Sequence, residues 1–386
     1  MNRLLPDNAI GLLRNGTEFF PALLDAINTA QRTVHLETYI FEPDETGRRF
    51  SKALCDAARR GVRVRVVVDG FGSRDFISHL QVDLESAGVK VFVFRKELGL
   101  LALQRRRLRR LHRKLAVVDN RLAFVGGINI IDDTSPPLHT SPRFDYAVRV
   151  EGPLVDAIRT TQEEMWRNLS WANFRRRQRL PKSRLASEAI GMAGGVRAAF
   201  VLRDNFRHRR DIEDAYLDAI IGARDEIMIA NAYFLPGRRF RTALLDARSR
   251  GVTVTLILQG RIEYWLLHHA CLAIYPRLLA AGIRIIEYRK SFLHAKVAVI
   301  DTDWATVGSS NIDPLSLMLA REANVIVRDE GFTTALRNSL LAEINDGGIA
   351  LSVDHWQKRP WRLRALSWLA FALVRTLTGK LIRRED

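Results

Sequence analysis

The feature that most constrains this chain is an eight-residue pattern that occurs twice. Residues 112–119 read HRKLAVVD, and residues 294–301 read HAKVAVID. Each copy continues at the same spacing into a small-residue turn and an asparagine, GGIN at 126–129 and GSSN at 308–311. Because His, Lys, Asp, Gly and Asn recur in register, the pattern indicates an internal duplication, and we expect two similar units facing each other about a pseudo-twofold axis.

Each copy has the pattern of a β-hairpin. A run rich in Val and Ala follows Lys114 and Lys296, a turn at Asp119 or Asp301 interrupts it, and a second apolar run leads back. Since alternate residues of a strand project to the same side, the histidine and lysine of each copy should share one surface. We count Asp119 and Asp301 with the histidines and lysines as candidate catalytic residues of the repeated motif, and their place at predicted turns indicates a structural role within it.

Together the two copies supply a set of groups suited to a phosphodiester. An imidazole can act as nucleophile or as general acid, and an ammonium group, a carboxamide and the N–H groups of a glycine-rich turn can hold anionic oxygens. The residues that supply these groups are His112, His294, Lys114, Lys296, Asn129 and Asn311. Because no His, Asp or Glu cluster has the spacing of a metal cage, we expect neither a metal nor another cofactor.

Helix and strand patterns alternate through both halves, which predicts a duplicated α/β fold. Several segments repeat: DAARRGVRV at 56–64 parallels DARSRGVTV at 246–254, and AGVKVFVFRK at 87–96 parallels AGIRIIEYRK at 281–290. One helix is predicted over 78–87. The division we predict is a first domain at 1–174, a linker at 175–197, a second domain at 198–357 and a basic amphipathic C-terminal segment at 358–386.

The charge of the chain points to a polyanionic partner. There are 60 Lys and Arg residues against 43 Asp and Glu, a formal net charge of +17. Nucleic acid and an anionic membrane surface both fit this charge. The first residues include Pro6 and Asp7 where an export signal needs an unbroken apolar run, and no stretch reaches the ~18–20 apolar residues of a spanning helix. Membrane contact should therefore be peripheral. The two cysteines, Cys55 and Cys271, lie in no metal pattern, which indicates buried thiols in a reducing compartment.

Two basic, partly apolar segments are candidates for that contact. Residues 97–111 (ELGLLALQRRRLRRL) form an insertion immediately before His112 that the second half lacks, and they suit a solvated loop, a lipid contact or a nucleic-acid contact. Residues 361–384 form a helical stretch with flanking arginines. This tail fits an interfacial helix, or alternatively a helix that packs on the second domain.

The paired HxKxxxxD motifs on a duplicated α/β chain resemble the phospholipase D superfamily. Three further segments resemble the bacterial cardiolipin synthases, particularly the shorter B type: 229–237 (IANAYFLPG), 305–316 (ATVGSSNIDPLS) and 322–327 (EANVIV). The resemblance covers nearly the whole chain. It implies a duplicated phospholipase D-like fold with two mixed-sheet α/β domains, and a transfer reaction through a phosphohistidine.

The resemblance also assigns roles to single residues. It implies that a carboxylate downstream of each motif orients the histidine of that motif, Glu322 for His294 and Asp145 for His112. Ser309 should contact the substrate phosphate, and the first half lacks this donor because it has Gly127. Since a carboxylate favours the protonated imidazole, the clearer partner Glu322 makes His294 the expected general acid and leaves His112 as the nucleophile.

The expected function is that of a cardiolipin synthase. It would move a phosphatidyl group between phosphatidylglycerol molecules and release glycerol, on the cytoplasmic face of the inner membrane. The expected partners are phosphatidylglycerol and an anionic membrane, with no nucleic acid; no oligomeric state is predicted. One alternative is a phospholipase D-family phosphodiesterase or nuclease, and another is a catalytically silent binding protein, against which both complete motifs argue.

Overall fold

A computed structural model describes residues 3–95, 109–133, 142–172, 195–204, 207–313, 320–353, 356 and 360–382. The elements of the first half are β1 (Leu5–Arg14), α1 (Asn15–Thr29), β2 (Thr33–Thr38), α2 (Glu45–Arg59), β3 (Arg63–Asp69), α3 (Arg74–His79), α4 (Gln81–Ser86), β4 (Lys90–Phe94), β5 (Arg110–Leu111), β6 (Lys114–Val118), β7 (Leu122–Gly126), β8 (Tyr146–Glu151) and α5 (Leu154–Ala172).

The second half repeats this order with small additions. Its elements are β9 (Val196–Arg203), α6 (Asp211–Gly222), β10 (Glu226–Asn231), α7 (Arg238–Ser249), β11 (Thr253–Gln259), α8 (Trp265–Leu272), α9 (Tyr275–Ala280), β12 (Arg284–Tyr288), β13 (Lys296–Ile300), β14 (Trp304–Gly308), β15 (Ala320–Arg328), α10 (Glu330–Gly347), β16 (Gly348–Ala350) and α11 (Trp361–Ile382).

The strands form one large mixed sheet with β1 and β9 adjacent at its centre, where Leu5 pairs with Ala198. From this centre the order is β8-β7-β6-β2-β3-β4 on one side and β15-β14-β13-β10-β11-β12 on the other, with β16 at the second edge. The β2-β3-β4 and β10-β11-β12 pairings are parallel, and the pairings of the hairpin strands are antiparallel. The predicted duplicated α/β fold is confirmed.

The hairpin strands are buried on both faces, which explains their continuous apolar sequence. In β6, Ala116 and Val118 belong to the core under the first-half helices, whereas Leu115 and Val117 belong to a central core that both halves share. Strand β13 alternates in the same way. Helices α5 and α10 contribute to the central core. The motif lysines therefore begin strands that are held rigidly between two layers.

Some predictions need correction or lie elsewhere. The single helix predicted over 78–87 is two short helices, α3 and α4, because the chain turns at Leu80. Cys55 and Cys271 are both buried free thiols. Residues 175–194 of the predicted linker and 97–108 of the insertion lie outside the described residues. Strand β9 already begins at Val196, two residues before the predicted start of the second domain.

The C-terminal tail is helical, as predicted. Helix α11 packs against α8 of the second half, and its Ala370 and Val374 join the core there. Its other side exposes large apolar residues, so it combines features of both alternatives considered for this segment. Among the described residues there is no helix whose length and apolar character would let it cross a membrane.

Candidate active site

The backbone joins each histidine motif to the opposite half of the molecule. The amides of His112 and of the residue after it both donate to the carbonyl oxygen of Arg321, at 3.0 and 2.8 Å, where β5 runs parallel to the start of β15. The amides of His294 and of the residue after it donate to the carbonyl of Phe144, at 2.8 and 3.0 Å. Each histidine loop is therefore held by the opposite half, and the lysine of each motif is close enough to lower the pKa of the histidine of the other.

This exchange decides which carboxylate contacts which histidine. Nδ1 of His112 lies 2.9 Å from Oε1 of Glu322, and Nδ1 of His294 lies 2.6 Å from Oδ2 of Asp145. The pairing that we expected within each half is therefore wrong. The reason is local: Glu322 follows the carbonyl that binds the His112 loop, and Asp145 follows the carbonyl that binds the His294 loop.

Both rings are held through Nδ1. A carboxylate at this nitrogen fixes the tautomer and orientation of the ring. Within the described part of the chain, Nε2 of His112 and Nε2 of His294 have no hydrogen-bond partner, and both side chains keep some exposure, 17% and 19%. This leaves Nε2 of each ring as the nitrogen that can react.

The serine of the second motif has a different role from the one predicted. Ser309 is fully buried, and its hydroxyl donates to Oε2 of Glu322 at 2.6 Å. It supports the carboxylate that orients His112, a contact that the sequence did not predict. The contact of Ser309 with the substrate phosphate stays a prediction. At the matching position, a Cβ on Gly127 would lie 2.3 Å from Oδ1 of Asp145. Gly127 therefore makes room for a carboxylate.

The two motif lysines are buried beside the histidines. Nζ of Lys114 donates to the carbonyl of His112 at 2.6 Å. Nζ of Lys296 donates to the carbonyl of His294, lies 2.7 Å from Nδ1 of that ring and lies 3.8 Å from Oδ2 of Asp145. Burial lowers the pKa of Lys114 to about 7 and that of Lys296 to about 8, although the nearby carboxylates oppose this shift. Buried, poorly compensated ammonium groups favour an incoming anion.

Burial also lowers the pKa values of the histidines. Glu322 opposes this effect at His112. The pKa of His294 falls to about 3, through burial and the positive charge of Lys296, and Asp145 only partly opposes this. Burial alone would raise the pKa of Asp145, but Lys296 and His294 bring it below its usual range. The charge of Asp145 is thus shared between two groups.

The motif asparagines follow the returning strands at equivalent positions and are nearly buried. Oδ1 of Asn129 accepts the backbone N–H of Ile40 at 3.1 Å, which fixes the amide and leaves its NH₂ group to donate elsewhere. Oδ1 of Asn311 is buried with no partner in the described part of the chain. A role in holding phosphate remains a prediction for both residues.

The motif aspartates lie away from the histidines. Asp119 accepts the backbone N–H groups of residues 31, 32 and 33, and Asp301 accepts those of residues 224, 225 and 226. Each has a φ of 52° at the hairpin turn. These contacts tie each hairpin to the start of β2 or β10, which fits the structural role expected from their position at turns. A catalytic role for either aspartate stays a prediction.

Several site residues were missed from the sequence. The ring of Tyr39 lies 4.7 Å from the ring of His112, and Nζ of Lys114 lies 5.4 Å from the Tyr39 ring centre. The hydroxyl of Tyr233 donates a hydrogen bond to Glu263, and the negative charge of Glu263 acts to raise the pKa of Lys296. Tyr39 follows β2 and Tyr233 follows β10. A polar or aromatic residue just after a strand of the sheet was the sequence signal that could have identified both as site residues.

The chain is similar in sequence to proteins of one family. The family described as "Cardiolipin synthase, PLD-like domain" matches residues 23–166 and 216–343. The protein named cardiolipin synthase B from Salmonella typhi is 41% identical over 368 residues, covering 95% of this chain and 88% of the relative. Its namesake from Escherichia coli K12 is 40% identical over 370 residues, with the same coverage.

Solved structures show the same fold. The crystal structure of phosphatidylserine synthase from Haemophilus influenzae Rd KW20 superposes with a TM-score of 0.67 at 13% identity, covering 99% of this chain and 96% of that one. Polyphosphate kinase from Porphyromonas gingivalis superposes with a TM-score of 0.59 at 15% identity, covering 96% of this chain and 53% of that one. These likenesses bear on architecture alone.

Proposed function

The chain belongs to the cardiolipin synthase family with phospholipase D-like domains, and we propose that it transfers a phosphatidyl group from one phosphatidylglycerol to another and releases glycerol. The observation that carries this proposal is the pair of carboxylate-bound imidazoles, His112 and His294, with the buried ammonium groups of Lys114 and Lys296 beside them. This arrangement provides a nucleophile, an acid and an anion site.

In the first step, Nε2 of a neutral histidine attacks the phosphorus of the donor lipid. A P–N bond forms and the P–O bond to the glycerol headgroup breaks, while the other, protonated histidine gives its proton to the departing oxygen. The products are a phosphatidyl-histidine, free glycerol and a neutral second histidine.

In the second step, the acceptor lipid enters. A hydroxyl of its glycerol headgroup loses a proton to the neutral histidine and attacks the phosphorus, so that a P–O bond forms and the P–N bond breaks. The starting protonation state returns. Lys114 and Lys296 stabilise the non-bridging oxygens in both steps, since fixed cations in a buried site act on charge as it redistributes.

The observed contacts favour the opposite roles for the two histidines from those that we expected. His294 was the expected acid because Glu322 was assigned to it, but Glu322 contacts His112 and Ser309. The charge of Asp145, in contrast, is shared with Lys296. Glu322 can therefore stabilise the imidazolium of His112 more fully, and we assign His112 as the general acid and His294 as the nucleophile.

Mapping the phosphorylated residue tests this assignment. Protein incubated briefly with phosphatidylglycerol and quenched in alkali, where phosphohistidine is stable, would be digested and analysed by mass spectrometry. The assignment expects the modification on the peptide that contains His294. Modification on His112 alone would restore the opposite assignment.

The proposed setting of the reaction is the cytoplasmic face of the inner membrane, with peripheral binding. It is supported by the net charge of +17, which suits an anionic lipid surface, and by the basic, apolar tail. The same charge favours one other candidate, a family phosphodiesterase that acts on nucleic acid. That candidate predicts cleavage of DNA or RNA and no transfer between lipids.

One experiment separates the two candidates. Purified protein would receive phosphatidylglycerol labelled in its headgroup, with and without phosphatidylethanolamine, and in parallel labelled single- and double-stranded DNA. The proposed function expects one glycerol released for each cardiolipin formed, and intact DNA. Release of glycerol with phosphatidate instead of cardiolipin would show a hydrolase, and cleavage of DNA without lipid transfer would show a nuclease.

A further inference from the structure

Large apolar side chains that reach solvent are concentrated in one region of the described structure. They lie on the short segment before and at the start of α8, and along α11. The residues are Ile262, Tyr264, Trp265, Trp361, Leu363, Trp368, Leu369, Leu373 and Leu377. We call this set the apolar face. Helix α8 packs directly on α11, so the two parts are neighbours in space.

Helix α11 has one apolar side that is buried and another that is exposed. Its Ala370 and Val374 are buried against the second-half core. Leu369 and Leu373 each lie one residue before a buried residue and are thus turned by about 100° on the helix; they are 68% and 49% exposed. Trp368, two residues before Ala370, is 58% exposed. Soluble proteins seldom leave an apolar patch of this kind uncovered.

The side chains around the face indicate what covers it. Arg362, Arg364 and Arg375 lie on the same helix among the tryptophans and leucines. Tryptophan favours the boundary between lipid headgroups and acyl chains, and arginine is attracted to anionic headgroups. Helix α11 is also not long and apolar enough to cross a bilayer. A helix with this composition suits a position in the plane of an anionic lipid surface.

One segment of the apolar face lies next to residues of the active site. The ring of Tyr264 lies 5.8 Å from the ring of Tyr233, whose hydroxyl donates to Glu263. The amide of Ala232, the residue before Tyr233, donates at 3.1 Å to the carbonyl of Ala295, which lies between His294 and Lys296. One segment, 262–265, therefore contributes to both the apolar face and the rim of the catalytic site.

We propose that the apolar face is a docking surface for an anionic lipid bilayer and that the active site opens at its edge. A phospholipid could then enter the site through the 262–265 rim while its acyl chains stay among lipids. This rests on the proposed function only for the statement that the substrate is a bilayer lipid. It deepens that function by giving the enzyme an orientation on the membrane.

Binding to vesicles tests the surface without any turnover. The double substitution L369E/L373E changes two exposed side chains, and V82E on α4 is a matched control, because Val82 is 70% exposed and outside the face. With vesicles of phosphatidylglycerol and phosphatidylcholine, L369E/L373E should bind at least about tenfold more weakly in co-sedimentation, and V82E should bind like the wild type. Melting temperatures would confirm that both variants fold.

Tryptophan fluorescence tests the orientation. Lipids brominated on the acyl chains quench only nearby rings, so W265F and W368F should each remove part of the quenchable signal. W171F is the control, because Trp171 is 81% exposed on α5 and outside the face. If W171F alone removed quenchable signal, the proposed orientation would be wrong.

Two further results would overturn the surface itself: unchanged vesicle binding by L369E/L373E, or a dimer without lipid that this variant dissociates, since the face would then be a protein interface. Failure of the proposed function is separate. If no cardiolipin forms but the expected binding and quenching patterns are observed, the docking surface is supported and the proposed reaction is wrong.

Discussion

The two halves of this molecule build the same imidazole–carboxylate contact with different residues. The second half supplies a longer carboxylate, Glu322, that a buried serine supports, and the first half supplies a shorter one, Asp145, for which a glycine makes room. The strand registers show that these carboxylates are equivalent, since each lies two residues before the partner of Gly126 or Gly308. The difference indicates that the residue at position 127 or 309 has to match the carboxylate beside it: Gly127 gives space to Asp145, and Ser309 donates a hydrogen bond to Glu322.

The comparison also shows that neither half is a complete site. Each carboxylate serves the histidine of the other half, so a change in one half should be detected at the histidine of its partner. Substitutions in either half therefore test this exchange.

Removing either histidine should abolish the reaction. His112→Ala and His294→Ala each delete a group that acts in the same step as the other, so we expect a loss of roughly 10³-fold or more in transfer rate for each. Labelled phosphatidylglycerol in detergent micelles provides the assay. Near-normal synthesis by either variant would mean that one half suffices, and the shared-site description would fail.

Removing the carboxylates should show the exchange directly. Glu322→Gln should lower the pKa of His112 and leave that of His294 unchanged, whereas Asp145→Asn should lower the pKa of His294, because each variant loses the negative charge that favours one imidazolium. Transfer should slow by roughly 10²-fold in both. Histidine titration by NMR measures the pKa values. A shift at the histidine of the same half would contradict the observed contacts.

Exchanging the residues beside the carboxylates should have a smaller effect. Gly127→Ser places a Cβ where Asp145 lies, and we expect about 1–3 kcal/mol lower stability together with slower transfer. Ser309→Gly removes the donor to Glu322 at a cost of about 1–2 kcal/mol. Denaturant unfolding measures both. If Gly127→Ser were as stable and active as the wild type, the glycine would not be needed to make room for the carboxylate.

The affinity for anions should depend on pH through the lysines. Lys114 and Lys296 have pKa values of about 7 and about 8, so both are largely protonated below pH 7 and lose their charge as the pH rises above these values. Inorganic phosphate should therefore bind more weakly at pH 9 than at pH 6.5, although the phosphate itself becomes more negative. Isothermal titration calorimetry measures this. Equal affinity in Lys114→Met and the wild type at pH 6.5 would remove Lys114 from the anion site.

The smallest effect on catalysis is expected at the motif aspartates. Asp119→Asn and Asp301→Asn keep a residue that tolerates a positive φ but weaken a carboxylate that accepts three backbone N–H groups. Each should cost about 1–2 kcal/mol of stability and leave kcat nearly unchanged. Unfolding curves and kinetics at a temperature well below melting separate the two quantities. A large loss of kcat in a fully folded variant would show that these aspartates take part in the reaction.

Much of the site could be predicted because its signals are local. The hairpins from Lys114 and Lys296 were predictable from apolar runs, a turn residue and a returning run. The structural role of Asp119 and Asp301 followed from the same pattern. Tyr39 and Glu263 escaped notice because no spacing rule links a residue after a strand to a histidine many residues away.

By itself, the sequence determined the duplication, the α/β alternation and the inventory of histidines, lysines and asparagines, because these are properties of neighbours along the chain. Only the tertiary structure decided that Glu322 contacts His112, 210 residues away, and that Asp145 contacts His294, 149 residues away. The physical reason is that a backbone carbonyl of the opposite half binds each histidine loop. Pairing between equivalent copies leaves no trace in either copy alone. The use of Ser309 and the exposed side of α11 depend instead on packing within the second half.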